Sequence, residues 1–149
     1  MPCEVLEVPA VIASLETIAH FVQDAAAEAG LDRVAAYRLR LAIDEIATNI
    51  VSYGYDDGGA EEAITLEYRA TDAQVIFELI DRGRAFDPLA CPLDPDELTK
   101  PLEERRVGGL GMFLAKSYVD GFRYERVGES NHNIFVVDRL DHADKDPDR

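Results

Sequence analysis

Leu39-Arg40-Leu41-Ala42-Ile43-Asp44-Glu45-Ile46-Ala47-Thr48-Asn49-Ile50-Val51-Ser52-Tyr53-Gly54-Tyr55 is an apolar helical stretch that carries a carboxylate and a carboxamide near its end. Leu39, Ile43, Ile46, Ile50 and Tyr53 recur at helical spacing and form a stripe expected to face the core. Glu45 and Asn49 are spaced i to i+4, so their side chains stack on one face at the edge of that stripe and look into the same space. Asp44 points about 100° away from Glu45 and is the weaker candidate for chemistry on that face. Asp32 is placed to cap the helix.

Toward the N-terminus, Cys3 to Val8 alternates apolar and polar residues as a short strand does, and Pro9 is expected to stop it. Val11, Leu15, Ile18, Val22 and Ala26 recur at helical spacing until Gly30, a C-terminal cap. Beyond the central helix, Asp56-Asp57-Gly58-Gly59 reads as a turn. Ile64, Leu66 and Tyr68 alternate within Ala63 to Arg69, and Val75, Phe77 and Leu79 within Gln74 to Ile80. Thr71-Asp72 joins these two strands as a hairpin. Between Asp87 and Gly108 the pattern dissolves among Pro88, Pro92, Pro95 and Pro101, which predicts a lid or a binding segment. Gly109 to Val119 reads as a helix stopped by Asp120-Gly121, and Phe122 to Val127 with Asn133 to Leu140 form a last hairpin around Gly128-Glu129-Ser130-Asn131. A charged tail, 141–149, is expected to fray. With no repeats and no linker, the pattern predicts one domain, residues 1–140, of α+β class: a two-layer sandwich of mostly antiparallel sheet with helices on one face.

Two further segments carry residue types suited to ligands. Asp81-Arg82-Gly83-Arg84-Ala85-Phe86-Asp87-Pro88 leaves an apolar strand in a sharp, glycine-containing turn. A carboxylate buried there is costly unless something donates to it, and an Asx turn closing the strand is one solution. Gly108-Gly109-Leu110-Gly111 opens a helix, where bare backbone N–H groups and the helix dipole favour an anion; a flexible hinge is the other reading. Arg105 and Arg106 precede those glycines, within reach of an anion or an acidic partner, or simply solvated. Asn49 offers a neutral, hard oxygen of the kind that suits Mg²⁺ retaining most of its waters.

In order and rough spacing the three blocks resemble the ATP-binding boxes of the GHKL ATPase superfamily. Within it, from about Val5 to Leu140, the chain most resembles the anti-sigma factor serine/threonine kinases of bacteria. That resemblance implies a histidine kinase-like ATPase fold, with ATP and Mg²⁺ between the helices and the sheet under the proline-rich lid. It assigns an adenine amino group as the donor to Asp81, and Gly83 as the point where backbone approaches the base. It implies that Gly108, Gly109, Gly111 and Arg105 hold phosphates and that Asn49 holds the metal. Glu45 matches the catalytic base, able to take a proton from a hydroxyl or water near the γ-phosphate. Phe86 packs beneath the nucleotide or fills core, with core preferred. The family places a threonine in the last hairpin as a second adenine contact, whereas this chain reads Ser130-Asn131-His132-Asn133-Ile134. His132 or Asn133 is the expected substitute, and His132 is otherwise a surface turn histidine. The implied partners are a sigma factor, which the kinase sequesters, an anti-sigma factor antagonist of STAS type, which it phosphorylates, and a second copy of the chain in a homodimer.

Bulk composition narrows the alternatives. At 149 residues and 47% apolar, the chain fits one domain with a real core. A formal net charge of −15, from 30 acidic and 15 basic residues, argues against direct nucleic-acid and anionic-membrane binding and for proteins or small molecules as partners. Cys3 and Cys91 form no C-x-x-C pair, so neither a zinc site nor a disulfide framework is expected. Met1 to Ala10 lacks the features of a signal peptide and no run approaches a membrane span, so a soluble, cytoplasmic protein is expected. A sensor histidine kinase would need a phosphoacceptor histidine on a long helical hairpin, and His20, His132 and His142 have no such hairpin. The alternative of a different class is a catalytically silent module in which ATP sets partner affinity.

Overall fold

The computed structural model describes residues 3–56, 58–88 and 118–139. Among them, helices α1 (Ser14–Glu28) and α2 (Arg33–Tyr53) lie on one face of a five-stranded antiparallel sheet. Its strands are β1 (Cys3–Ala10), β2 (Gly59–Ala70), β3 (Gln74–Asp81), β4 (Gly121–Val127) and β5 (Ser130–Asp138), in spatial order β1-β2-β3-β5-β4. This is the α+β sandwich that the periodicities predict. The proline-rich segment beyond Pro88, the helix expected from Gly109, Cys91 and the charged tail lie outside the described residues.

Local signals set the helix ends. Asp32 accepts a hydrogen bond from the Ala35 N–H at 2.7 Å, which satisfies one of the open donors at the start of α2. Gly30 adopts φ +83° just past α1, a left-handed conformation that glycine takes without steric cost. Along α2, Leu39, Ile43, Ile46 and Ile50 are buried as expected, but Tyr53 is 50% exposed. Tyr53 is the last residue of the helix, beyond Ile50, where α2 has run past the core.

Sheet context corrects two boundaries and fixes a third. Pro9 does not stop β1, which continues to Ala10. As an edge strand pairing only with β2, β1 has an unpaired side where a missing N–H costs nothing, and the register shifts between Pro9 and Ala10. The β2–β3 hairpin is held by Thr71, whose hydroxyl oxygen accepts from the N–H groups of Ala73 at 3.2 Å and Gln74 at 2.9 Å. The β4–β5 turn narrows to Gly128-Glu129, since Val127 already pairs with Ser130. Ser130, Asn131 and His132 are therefore strand residues, and Asn131 comes to lie directly opposite Asp81.

The helix-facing side of the sheet presents Ile64, Leu66, Tyr68, Val75, Phe77, Leu79 and Phe135, all buried against Ile18, Val22, Leu39, Ile43 and Ile46. Each such large side chain contributes about 1.5 to 3 kcal/mol on burial. The Tyr68 and Phe77 rings lie 5.1 Å apart across β2 and β3. His132 points to the other face, where its Nδ1 sits 2.6 Å from Glu78 Oε2, so it is a half-buried strand residue and not a turn residue. No helix among the described residues is long and apolar enough to cross a membrane.

Candidate functional site

Alternation along β3 puts Val75, Phe77, Leu79 and Asp81 on one buried face, so the strand delivers a carboxylate to the edge of the core at 2% exposure. Its two oxygens are treated differently. Oδ2 accepts from the Gly83 N–H at 2.8 Å, closing an Asx turn, and from Asn131 Nδ2 at 3.1 Å. Oδ1 is buried without any hydrogen-bond partner among the described residues. The Asx turn and an external donor are therefore not rival readings, because the turn uses one oxygen and leaves the other open. Burial pushes the Asp81 pKa upward, opposed by the hydrogen bonds from Asn131 and Gly83 and by the nearby charges of Arg126 and His132.

Asn131, 3% exposed, is the residue that sequence reasoning passed over. Its Nδ2 also reaches the carbonyl oxygens of Arg84 at 3.0 Å and Gly83 at 3.3 Å, and its Oδ1 accepts from the Tyr124 hydroxyl and, at 3.1 Å, from Arg126. Arg126 donates to the Gly83 carbonyl as well, at 2.9 Å. One side chain thus ties β3, β4, β5 and the 82–84 turn together. The signal that finds it is alternation carried backward from Val137 and Phe135 to Asn133 and Asn131. Asn133 occupies the same face at 2% exposure, and its Oδ1 has no partner among the described residues.

Gly83 is buried, and a methyl group there would stand 2.8 Å from the Gly54 carbonyl oxygen and 2.9 Å from Asp81 Oδ2. The close approach that requires glycine is thus to the end of α2. The same junction is stitched by the Arg84 N–H to the Gly54 carbonyl at 2.9 Å, by the Arg82 N–H to the Tyr55 hydroxyl at 3.1 Å, and by an ion pair between Arg84 and Asp56. These contacts anchor the helix that carries Glu45 and Asn49 beside the Asp81 turn. Asn49 lies five residues before Gly54, roughly 7.5 Å along the helix axis, and Glu45 one turn further.

Glu45 and Asn49 are both half-buried. Burial raises the Glu45 pKa and the adjacent Asp44 charge raises it further; Asp44 is itself raised by burial, with Arg40 opposing. A carboxylate biased toward holding a proton is suited to accepting one. No group of three or more His, Cys, Asp or Glu side chains is poised for a metal among the described residues. Asn49 fits a metal held mostly by waters and phosphate oxygens, the usual manner of Mg²⁺. The neutral oxygen of Asn49 and the orphaned oxygen of Asp81 are compatible with a nucleotide and its metal, whereas the space at Gly83 is taken by the Gly54 carbonyl and not left for a base. Phe86 is 44% exposed and does not fill the core, because the chain has already left the sheet at the stitched turn. Arg105, Arg106, Gly108, Gly109 and Gly111 lie outside the described residues.

Comparison with known proteins agrees with this geometry. A family model described as a histidine kinase-like ATPase domain matches residues 8–136. The serine-protein kinase RsbW of Halalkalibacterium halodurans is 31% identical over 84 residues, covering 55% of this chain and 50% of that protein. The serine/threonine-protein kinase BtrW of Bordetella bronchiseptica is 32% identical over 96 residues, covering 64% of this chain and 66% of that protein. The chain spans about half to two-thirds of the length of these relatives. The crystal structure of the RsbU and RsbW domains of Rv1364c from Mycobacterium tuberculosis superposes with a TM-score of 0.65 over 92% of this chain and 32% of that one; at 19% identity this is a likeness of fold. With that fold, that sheet and that extent of match, the chain belongs to the histidine kinase-like ATPase family of the GHKL superfamily.

Proposed function

We propose that the chain is a serine/threonine protein kinase of the bacterial partner-switching kind, which binds ATP with Mg²⁺, sequesters a sigma factor and phosphorylates an anti-sigma factor antagonist of STAS type. The observation that carries the nucleotide reading is the buried Oδ1 of Asp81, unpartnered among the described residues, whose sister oxygen accepts two hydrogen bonds from the protein. A buried acceptor left open is a standing cost that a ligand N–H group removes. The exocyclic amino group of adenine is such a donor. The partners come from the resemblance to anti-sigma factor kinases alone, and the homodimer and the single 1–140 domain belong to the same proposal.

In this reading each residue has one task. Asp81 and its turn hold the base, and Asn49 places a neutral oxygen toward the metal side of the phosphates. Bound Mg²⁺ supplies neutralisation of the phosphate charge. Glu45 accepts the proton of the attacking serine or threonine hydroxyl as the new O–P bond forms and the bond to the ADP leaving group breaks. The glycines at 108, 109 and 111, with Arg105, cradle the phosphates.

The test is phosphate transfer from radiolabelled Mg-ATP to a candidate STAS-domain antagonist. Transfer by the wild type that is lost in Glu45→Gln, with ATP affinity retained, supports the kinase. Nucleotide-dependent binding of the antagonist without transfer would show a catalytically silent module instead.

A further inference from the structure

The first half of α2 departs from the rest of the chain in charge. From Arg33 to Ile43 it carries Arg33, Arg38 and Arg40 and no carboxylate, in a chain of 30 acidic and 15 basic residues. Asp32, the nearest acid in sequence, is spent on capping the helix. Arg33 stands at the first helical position, where the helix dipole disfavours a cation. Among the described residues neither Arg33 nor Arg38 forms an ion pair. Apolar surface is open beside them, with Val34 59% and Tyr37 54% exposed. The Arg40 guanidinium lies 5.2 Å from the centroid of the Tyr37 ring and holds that ring in place.

Val34, Tyr37, Arg38 and Leu41 line a groove of about 840 Å³ together with Gln23 of α1 and Tyr118, and no carboxylate lines it among the described residues. Arginine and tyrosine beside aliphatic side chains is the composition of a protein-binding hot spot and not of a solvated helix face. The groove is also aligned with the chemistry. Val34, Arg38, Leu41 and Glu45 are spaced i, i+4, i+7 and i+11, so they form one stripe, within about 40° of one another around the helix. From the C-terminal end of α2 the order is the junction with the Asp81 turn at Gly54, then Asn49, then Glu45, then the groove. In the kinase reading the base lies at the Asp81 end and the transferred phosphate at Glu45. The groove therefore opens on the side from which the hydroxyl-bearing protein approaches.

We propose that this groove docks the protein substrate: an acidic patch on it pairs with Arg38 and Arg33, and an apolar side chain packs against Val34, Leu41 and the Tyr37 ring. The inference rests on the kinase reading and adds to it the surface that selects the substrate protein. Arg38 and Glu45 are seven residues apart, about 10 Å along the helix axis, so the acidic patch stands about that far from the acceptor hydroxyl. At a net charge of −15 the chain as a whole repels an acidic partner, and a local basic site decides where such a partner lands.

Arg38→Glu and Arg38→Lys test this in the whole chain, with a candidate STAS-domain antagonist as the probe. Arg123→Glu, an exposed charge reversal on the sheet face away from the helices, is the control. Antagonist binding is measured by calorimetry with a non-hydrolysable Mg-ATP analogue present, and phosphate transfer is measured with Mg-ATP. Arg38→Glu is expected to weaken antagonist binding and to raise the KM for the antagonist on the order of tenfold or more, with kcat, Mg-ATP affinity and melting temperature unchanged. Arg38→Lys should recover most of that loss, and Arg123→Glu should cause none. Added salt should weaken binding more in the wild type than in Arg38→Glu. An unchanged KM in Arg38→Glu overturns the docking role. A fall in Mg-ATP affinity assigns Arg38 to the phosphates, and an equal loss in Arg123→Glu reduces the effect to net charge; either sinks the proposal. A change in sedimentation of Arg38→Glu with antagonist binding intact makes a second copy of the chain the occupant, which also overturns it. Binding through Arg38 without phosphate transfer overturns the kinase reading and leaves the docking surface standing. Absence of both binding and transfer in the wild type overturns both.

Discussion

Asp81 and Glu45 are both carboxylates whose pKa is raised by burial, yet their surroundings diverge from there. Asp81 stands at the end of a sheet strand, nearly inaccessible, with donors from Asn131 and Gly83 and the charge of Arg126 pulling it back toward the ionised form. Glu45 stands on a helix, half-buried, and its neighbour Asp44 pushes the pKa further up. The difference matches two kinds of work. A carboxylate that recognises a ligand must be held still and kept as an acceptor, whereas one that takes a proton must be free to bind it.

The sharpest way to break this comparison is to neutralise each end separately. Glu45→Gln is expected to slow phosphate transfer on the order of 100-fold or more while leaving Mg-ATP affinity unchanged in calorimetry. A parallel fall in affinity would move Glu45 into the binding machinery. Asn49→Ala should separate the metal from the base: ATP affinity should lose its dependence on Mg²⁺, and a titration in which added Mg²⁺ still tightens binding as in the wild type would remove Asn49 as the metal residue.

Asp81→Asn is expected to weaken ATP binding by roughly 1 to 3 kcal/mol, since the amide can present a donor where an acceptor is needed. Its effect on the empty protein should have the opposite sign. The Asp81 pKa in the folded state lies above its ordinary value of 3.8, so the folded state holds the proton more tightly than the unfolded one. The stability this provides is fully present below 3.8 and is lost as pH rises through the folded value. Asp81→Asn removes that loss, and denaturant melts above this window should find the variant at least as stable as the wild type. A variant less stable at neutral pH would mean that the ionised carboxylate is itself structural.

The smallest expected effect belongs to the clamp. Asn131→Ala leaves the Arg84 carbonyl oxygen and the Tyr124 hydroxyl short of a partner, while Arg126 still donates to the Gly83 carbonyl, and should cost about 1 to 2 kcal/mol of stability in the same melts. ATP affinity should fall less than in Asp81→Asn, because Gly83 still orients the carboxylate. An affinity loss as large as that of Asp81→Asn would show that Asn131 alone aims Asp81.

What was legible in the sequence was local. The α2 stripe, the Asp32 cap, the Gly30 stop and the two hairpins each depend on residues within a turn or a strand of one another. Pro9 was misread as a terminator because its tolerance depends on β1 being an edge, a property of the sheet and not of the segment. Tyr53 fits the stripe by period, and only the assembled core shows that the helix has passed beyond it. The partner of Asn131 is Asp81, separated by 50 residues, and no window of sequence contains both. Gly83 was marked as special, but the carbonyl that demands it, at Gly54, belongs to another element.

The stitching of Gly54 and Tyr55 to the turn at 82–84 makes α2 a ruler. Its zero mark is pinned beside Asp81, and the burial of Leu39, Ile43, Ile46 and Ile50 keeps its far end from swinging. Distances along a helix come in steps of about 1.5 Å with a rotation of about 100° per residue. A single residue inserted between Asn49 and Gly54 would therefore turn Glu45 and Asn49 together off their shared face. A change of side chain in that interval would leave both in place. Length in that five-residue interval is thus under tighter constraint than identity, and deletion or insertion there should abolish phosphate transfer in proteins that still fold and still bind the base.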